Sequence, residues 1–168
     1  MARHSRQKGF DLLLKAWAQV NAPGWKLKIV GSGELREENE NLAKQLGISD
    51  NTIFVDAHSG IADEFRNASC FVLSSRFEGM VLVLLEAKMM GLPCISFDCP
   101  NSPREVIRDG IDGWLVENGN INALANILSS KLSCLDELQV AGRAARLDAL
   151  NRYSPESIKQ MWLPIILN

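Results

Sequence analysis

The sequence predicts an α/β fold: a parallel sheet with helices on both faces. Three observations point there. Short apolar runs of strand length recur at residues 25–31, 52–55, 70–73, 93–97 and 114–116. Longer stretches with helical periodicity separate them. Glycine and proline mark the joints, as in Gly31-Ser32-Gly33, Gly47, Gly91-Leu92-Pro93 and Asp109-Gly110-Ile111-Asp112-Gly113.

Taken in order, residues 1–8 are polar and basic, with Arg3, His4, Arg6 and Lys8. A helix follows in which Phe10, Leu13, Leu14, Trp17 and Val20 share one face, and Asn21-Ala22-Pro23-Gly24 ends it. After the first apolar run and its glycine turn, residues 34–46 form a charged helix stopped by Gly47. Residues 61–67 form a short helix. A helix from Met80 or Val81 runs to the C-cap Gly91, with Pro93 just beyond. Residues 98–102 are a loop containing Pro100, and Pro103 opens a short helix over 103–107. The remainder is helical, at 122–130, 135–150 and from Pro155 to about residue 163, with Asn120 and Ser154 as N-caps. There are no repeats and no low-complexity tracts.

The composition narrows the function. The chain has 168 residues, enough for one domain with its own core. Apolar residues make up 46% and charged residues 23%, and the net charge is −2, which gives no basis for bulk binding to nucleic acid. No apolar run reaches the roughly 20 residues of a membrane-spanning helix, and no signal peptide precedes the first helix. Cys70, Cys94, Cys99 and Cys134 show no CxxC spacing and are expected as reduced thiols in a cytoplasmic protein. With only His4 and His58, no histidine-based metal site is expected.

The chemistry concentrates in residues 74–93, a loop and helix following the third apolar run. The helix is apolar nearly all round, so Glu86 is expected to be buried and to need a partner, either a basic side chain or the hydroxyls of a ligand. Glu78 lies at the loop end. One carboxylate at the lip of a pocket and one in its wall suit a polyhydroxylated ligand. The first amides of the helix, at Met80, Val81 and Leu82, suit a phosphate. The strand-loop-helix corner is where open α/β sheets bind ligands.

The segment Ser-Arg-Phe-Glu-Gly-Met-Val-Leu-Val-Leu-Leu-Glu-Ala, from Ser75 to Ala87, closely resembles the E-x7-E motif of retaining, nucleotide-sugar-dependent glycosyltransferases. These are the GT4 family of the GT-B fold. Gly91-Leu92-Pro93 and Pro103-Arg104-Glu105 strengthen the resemblance. It implies that residues 1–168 are the Rossmann-like C-terminal half of such an enzyme, its donor-binding domain. The N-terminal acceptor domain is then absent. Met1-Ala2-Arg3 resembles the tail of the domain's first strand, so a cut there would leave a gap in mid-sheet. Lower stability, a partner chain filling the gap, or self-association through the truncated sheet or the apolar C-terminal helix (Met161, Trp162, Leu163) would follow.

By the same resemblance Glu86 binds ribose hydroxyls and Glu78 contacts the transferred sugar. Arg3 and Lys8 neutralise the diphosphate, which removes the need for a metal or other cofactor. Gly79, Met80, Val81 and Leu82 offer backbone amides; the family commonly has Phe at position 80 and Pro or Gly at 81. Gly31 and Gly33 form the glycine turn beside the nucleotide. Phe54 lies where the family meets the base, although Asp56 replaces a glycine there. Arg76 and Phe77 are expected as structural or rim residues, and Arg104 and Glu105 as a helix-start ion pair. The implied activity is retaining transfer of a sugar from a nucleotide-diphosphate sugar to an acceptor hydroxyl, in polysaccharide or glycan synthesis, in the cytoplasm or at the inner face of the membrane. Two alternatives stand beside it: a non-catalytic Rossmann-like interaction module, and a nucleotide-sugar epimerase or phosphorylase on a similar fold.

Overall fold

The computed structural model describes residues 2–101 and 103–167; Met1 in the N-terminal stub and Ser102 in the loop after the fourth apolar run lie outside the described residues. The elements follow in order as α1 (Phe10–Trp17), β1 (Leu27–Val30), α2 (Arg36–Gln45), β2 (Thr52–Val55), α3 (Ile61–Arg66), β3 (Phe71–Leu73), α4 (Leu82–Met89), β4 (Cys94–Asp98), α5 (Pro103–Val106), β5 (Gly113–Glu117), α6 (Ile121–Leu132), α7 (Leu135–Tyr153) and α8 (Pro155–Ile166). The α/β expectation holds.

Every strand pair is parallel, but the ladders form two separate sheets. β1 pairs with β2, Leu27 opposite Thr52 and Val30 opposite Val55. β4 lies between β3 and β5, pairing Phe71 with Cys94 and Cys94 with Gly113. Among the described residues no ladder joins β1 to β3.

Residues 2–9 span the distance between the two sheets. Ala2 N donates to Val30 O at 3.0 Å and His4 N to Ser32 O at 2.9 Å, so this segment runs parallel to the end of β1. It then crosses to the exit of β3, where Arg76 N donates to Gln7 O at 2.8 Å and Ser74 Oγ to Lys8 O at 2.9 Å.

The two-residue period of a strand explains how the core divides. On β4, Ile95 and Phe97 face a cluster with Leu13, Leu14, Trp17, Leu124 and Leu128 of α1 and α6. Cys94, on the other face, joins Leu73, Leu84, Ala87 and Val106. Burying a side chain such as Leu14 or Leu84, both fully enclosed, stabilises by about 1.5–3 kcal/mol. Both expected N-caps form: Asn120 Oδ1 accepts from Ala123 N at 2.9 Å and Ser154 Oγ from Ser157 N at 3.2 Å.

Three expectations need correction. α4 is not enclosed all round: Leu82 and Glu86 face solvent, and the buried charge on this helix is Lys88. Lys88 Nζ donates to Val106 O at 2.5 Å and meets Asp148 at 2.6 Å and Asp112 at 3.1 Å. Arg108 meets Asp112 from outside at 2.7 Å. A buried ammonium is tolerable when paired and fully hydrogen-bonded, and the two aspartates lie far along the chain from the helix they complement. Second, α8 continues through Pro164 to Ile166. A proline there removes one hydrogen bond and crowds the carbonyl four residues back, at the exposed last turn of the helix. Met161, Trp162, Ile165, Ile166 and Leu167 on and just beyond this helix are all exposed. Third, Arg104 pairs with Asp98 rather than with its neighbour Glu105. All four cysteines are free; burial pushes the Cys70 thiol up to about 12 and raises that of Cys94 further.

Candidate functional site

The site lies where the strands end, at the loops after β1, β2, β3 and β4. Its centre is Glu78. β3 exits into Ser74 and Ser75, both buried, and the loop turns the Glu78 carboxylate back inward to 7% exposure. Lys8 Nζ donates to both carboxylate oxygens, at 2.7 and 3.1 Å, and Ser75 Oγ donates to Oε1 at 2.5 Å. Glu78 N donates to Pro100 O at 3.4 Å, which ties the loop to the end of β4. The Cys99 thiol is raised by burial and by the Glu78 charge beside it.

A second pair holds this loop against the basic segment. Arg76 donates to both Asp11 oxygens, at 2.8 and 2.7 Å, and to Arg6 O at 2.8 Å. These hydrogen bonds hold the Asp11 carboxyl below its usual range. Asn118 Nδ2 caps Arg76 O at 3.1 Å from beyond β5. Arg76 is therefore structural, and Phe77 is an exposed rim residue.

Glu86 stands one helical turn into α4, exposed, and its carboxylate has no hydrogen bond or ion pair among the described residues. Of the two kinds of partner expected for Glu86, a basic side chain is not found among the described residues; its neighbour Lys88 points into the core instead. Ahead of α4, the amides of Met80, Val81 and Leu82 have no acceptor among the described residues, and Val81 caps the helix without a side-chain hydrogen bond. Val81 is buried, whereas the Met80 and Leu82 side chains point outward. Gly79 takes part in the loop's contacts.

The glycine turn is built around the basic segment. A Cβ on Gly31 would lie 1.9 Å from Ala2 O, and one on Gly33 would lie 2.7 Å from His4 N and O. Their φ angles are also positive, at 153° and 151°, which favours glycine. These glycines let residues 2–4 lie flat on the end of β1. Arg3 is thereby held at the rim and pairs with Glu34 at 3.0 Å, away from Lys8.

His4, in the polar and basic N-terminal stretch, is fully buried. Its ring lies 4.8 Å from that of Phe10 and 6.1 Å from that of Phe54, and Asn39 Nδ2 bonds its Nδ1 at 3.1 Å. Burial, aided by Arg36, lowers its pKa. Phe54 is half-buried between His4 and the Arg36 guanidinium, which stands 5.2 Å from the ring centre. Arg36 also donates to Gly31 O at 3.0 Å and Val55 O at 3.3 Å, covering the ends of β1 and β2. Asp56 faces solvent.

Lys8 and Glu78 thus meet, with Glu86 and the bare amides on the same loop and helix. Arg3, Gly31, Gly33 and Phe54 line the neighbouring strand ends. Ser75, Arg36 and His4 escaped the sequence analysis. For Ser75 the signal was present, as a hydroxyl three residues before a carboxylate in a tight loop.

Residues 1–148 match the family described as glycosyl transferases, group 1. The chain is 33% identical over 166 residues to the amylovoran biosynthesis glycosyltransferase AmsD of Erwinia amylovora, covering 99% of this chain and 46% of that protein. It is 34% identical over 113 residues to the lipopolysaccharide 1,6-galactosyltransferase of Salmonella typhimurium, covering 65% and 32%. Among solved structures, TarM of S. aureus in complex with UDP, fondaparinux and α-GlcNAc-glycerol superimposes with a TM-score of 0.91 at 25% identity, over 99% of this chain and 34% of that one. HepE of Anabaena in complex with UDP gives 0.90 at 21% identity, over 99% and 47%, a likeness of fold. The chain spans under half the length of these relatives.

Proposed function

The chain belongs to the group 1 glycosyl transferases, and from that premise we propose that it is the donor-binding domain of a retaining enzyme. The proposed reaction moves a sugar from a nucleotide-diphosphate sugar to an acceptor hydroxyl. The observation that carries this is the juxtaposition of the Lys8–Glu78 pair with the unpartnered Glu86 carboxylate and the bare amides ahead of α4.

Each group has a distinct task. Glu86, solvent-facing and unpaired, accepts hydrogen bonds from two neighbouring ribose hydroxyls without first breaking an internal contact. The amides of Met80, Val81 and Leu82 and the α4 dipole receive the diphosphate. Lys8 supplies a fixed cation against the charge that grows on the departing nucleoside diphosphate. Arg3, on the facing rim, turns from Glu34 to add a second. Glu78, held by Ser75 and Lys8, accepts from hydroxyls of the transferred sugar. Phe54 and Arg36 present a flat, cationic surface to the base. No metal is required in this scheme, because Lys8, Arg3 and the helix terminus carry the positive charge.

The acceptor side of the cleft belongs, in this proposal, to a further N-terminal domain, with the first sheet strand between that domain and Ala2. The exposed apolar side of α8 is the surface by which the domain would meet it or self-associate. Polysaccharide or glycan assembly in the cytoplasm, at the inner membrane face, is the proposed setting, in line with the names of the relatives.

Calorimetric titration with UDP, GDP and ADP, on this chain and on Glu86→Ala, tests the proposal. Binding of one nucleotide with at least tenfold loss in Glu86→Ala is expected. Binding of none, or equal binding by the variant, overturns it.

A further inference from the structure

Arg3 and Lys8, the two cations assigned to the diphosphate, sit on one short segment between the two sheets. The far end of the segment is tied to the second sheet: Gln7 O accepts from Arg76 N at 2.8 Å, and Lys8 O accepts from Ser74 Oγ at 2.9 Å. The near end is tied to the first sheet and to α2, largely at His4. Its N donates to Ser32 O at 2.9 Å, and its O accepts from Leu35 N at 3.0 Å, at the start of α2. The Arg3 side chain does not do this work. It is mostly exposed, as is its partner Glu34, and such a surface pair contributes little.

The His4 side chain completes this anchor. Three elements close on the imidazole: Phe10 of α1, Phe54 of β2 and Asn39 of α2. An apolar ring would fill the same space, so a buried imidazole there calls for a reason. Asn39 Nδ2 is the donor in their 3.1 Å contact, so His4 Nδ1 accepts and the ring hydrogen sits on Nε2. Nε2 has no partner among the described residues. The one nitrogen in use is therefore the one that faces α2. Burial, with the Arg36 charge, lowers the His4 pKa, which keeps the ring neutral and Nδ1 an acceptor. A hydrogen bond is directional, so this one fixes the rotation of the ring where apolar contact alone would not.

We propose that His4 is a positioning residue for the diphosphate cations: through its Nδ1–Asn39 bond it sets the backbone of residues 3–8, which places Arg3 at the rim and Lys8 against Glu78. The proposal rests on the donor-binding reading above. His4 touches no substrate itself. α2 holds His4, His4 holds the segment, and the segment presents its charge to the second phosphate of the nucleotide.

Two changes remove the bond from opposite sides. His4→Phe keeps a ring against Phe10 and Phe54 and loses Nδ1; Asn39→Leu keeps the side-chain volume and loses the donor. Either one carries the test if the other fails to fold. The probes are UDP, GDP and ADP, each titrated calorimetrically against its own monophosphate. The parent chain should prefer the diphosphate by roughly tenfold or more. In each variant that preference should fall about fivefold, with monophosphate affinity unchanged to within about twofold, because the monophosphate lacks the group that the cations meet. The double variant should lose no more than either single one, since all three break the same bond. Without nucleotide, amide exchange over residues 4–9 should quicken roughly tenfold in each variant while β4 is unchanged. Loss of the diphosphate preference in the single variants, with no further loss in the double, supports the proposal. An unchanged preference, equal weakening of mono- and diphosphate as a merely structural role would give, or unchanged exchange over residues 4–9 overturns it. If the parent chain binds no nucleotide, the donor-binding reading falls and this proposal with it; parent binding that the variants leave unchanged overturns this proposal alone.

Discussion

Lys8 Nζ bonds both carboxylate oxygens of Glu78, at 2.7 and 3.1 Å, across seventy positions of sequence. The pair joins the basic segment on β1 to the loop after β3. In Lys8→Met the Glu78 carboxylate, 7% exposed, keeps only the Ser75 hydroxyl among its side-chain partners. A loss of about 1–3 kcal/mol is expected, read from the urea midpoint. Lys8→Arg should recover most of it.

Glu86→Ala behaves in the opposite way. Its carboxylate is exposed and has no partner among the described residues, so the unfolding free energy should hold to within about 0.5 kcal/mol. Nucleotide binding is the property it should lose. Thermal melts beside the calorimetric titration separate the two effects.

Lys88→Met should be the most destabilising single change on α4. It takes the enclosed cation from Asp112 and Asp148, which are 0% and 5% exposed, and leaves them to the part-exposed Arg108 and Arg152 guanidiniums. The cost should be about 3–5 kcal/mol by urea unfolding. Lys88→Met combined with Asp112→Asn and Asp148→Asn should recover a large part, because the charges that need the lysine are then gone.

His4 gives the fold a pH dependence on the mildly acidic side. Burial lowers its folded pKa, so between that value and the unfolded value of about 6.5 the unfolded chain binds the extra proton. Its contribution is complete above about pH 6.5 and is lost as pH falls through the folded value. The difference in unfolding free energy between pH 7.5 and 5.5 should shrink in His4→Phe.

Asp11 acts lower on the pH scale. The hydrogen bonds from Arg76 depress its folded pKa, so its contribution is present above about pH 3.9 and disappears as pH falls through the depressed value. Asp11 is part-exposed, so solvent screening keeps the effect small. Urea unfolding of Asp11→Asn should match the parent chain more closely at pH 2.5 than at pH 7.

Local signals carried far in this sequence. The apolar runs, the glycine joints and the caps at Asn120 and Ser154 all reappear within a few residues, because each is set by nearby chain. The Glu78–Glu86 spacing marked the right loop and helix. Sequence pattern failed where a partner came from far away. An apolar count around Glu86 suggested enclosure, yet Lys88, two positions on, is the enclosed charge, and only α7 and the turn after α5 explain it. Nothing in the polar stretch around His4 marks it as buried; Phe10, Asn39 and Phe54, from three other elements, close over it. Gly31 and Gly33 read as a simple turn, and the backbone of Ala2 and His4 supplied the stronger reason for them.

That no ladder joins β1 to β3 among the described residues also bears on the order in which the molecule assembles. Each sheet closes by its own short-range crossovers. Their union depends on α1 seating against α6, on residues 2–9, and on side chains from both sheets in one core cluster. Such a molecule should open in two stages. Amide protection should be lost first from β1, β2 and α2, while β4, buried on both faces and paired on both edges, exchanges last.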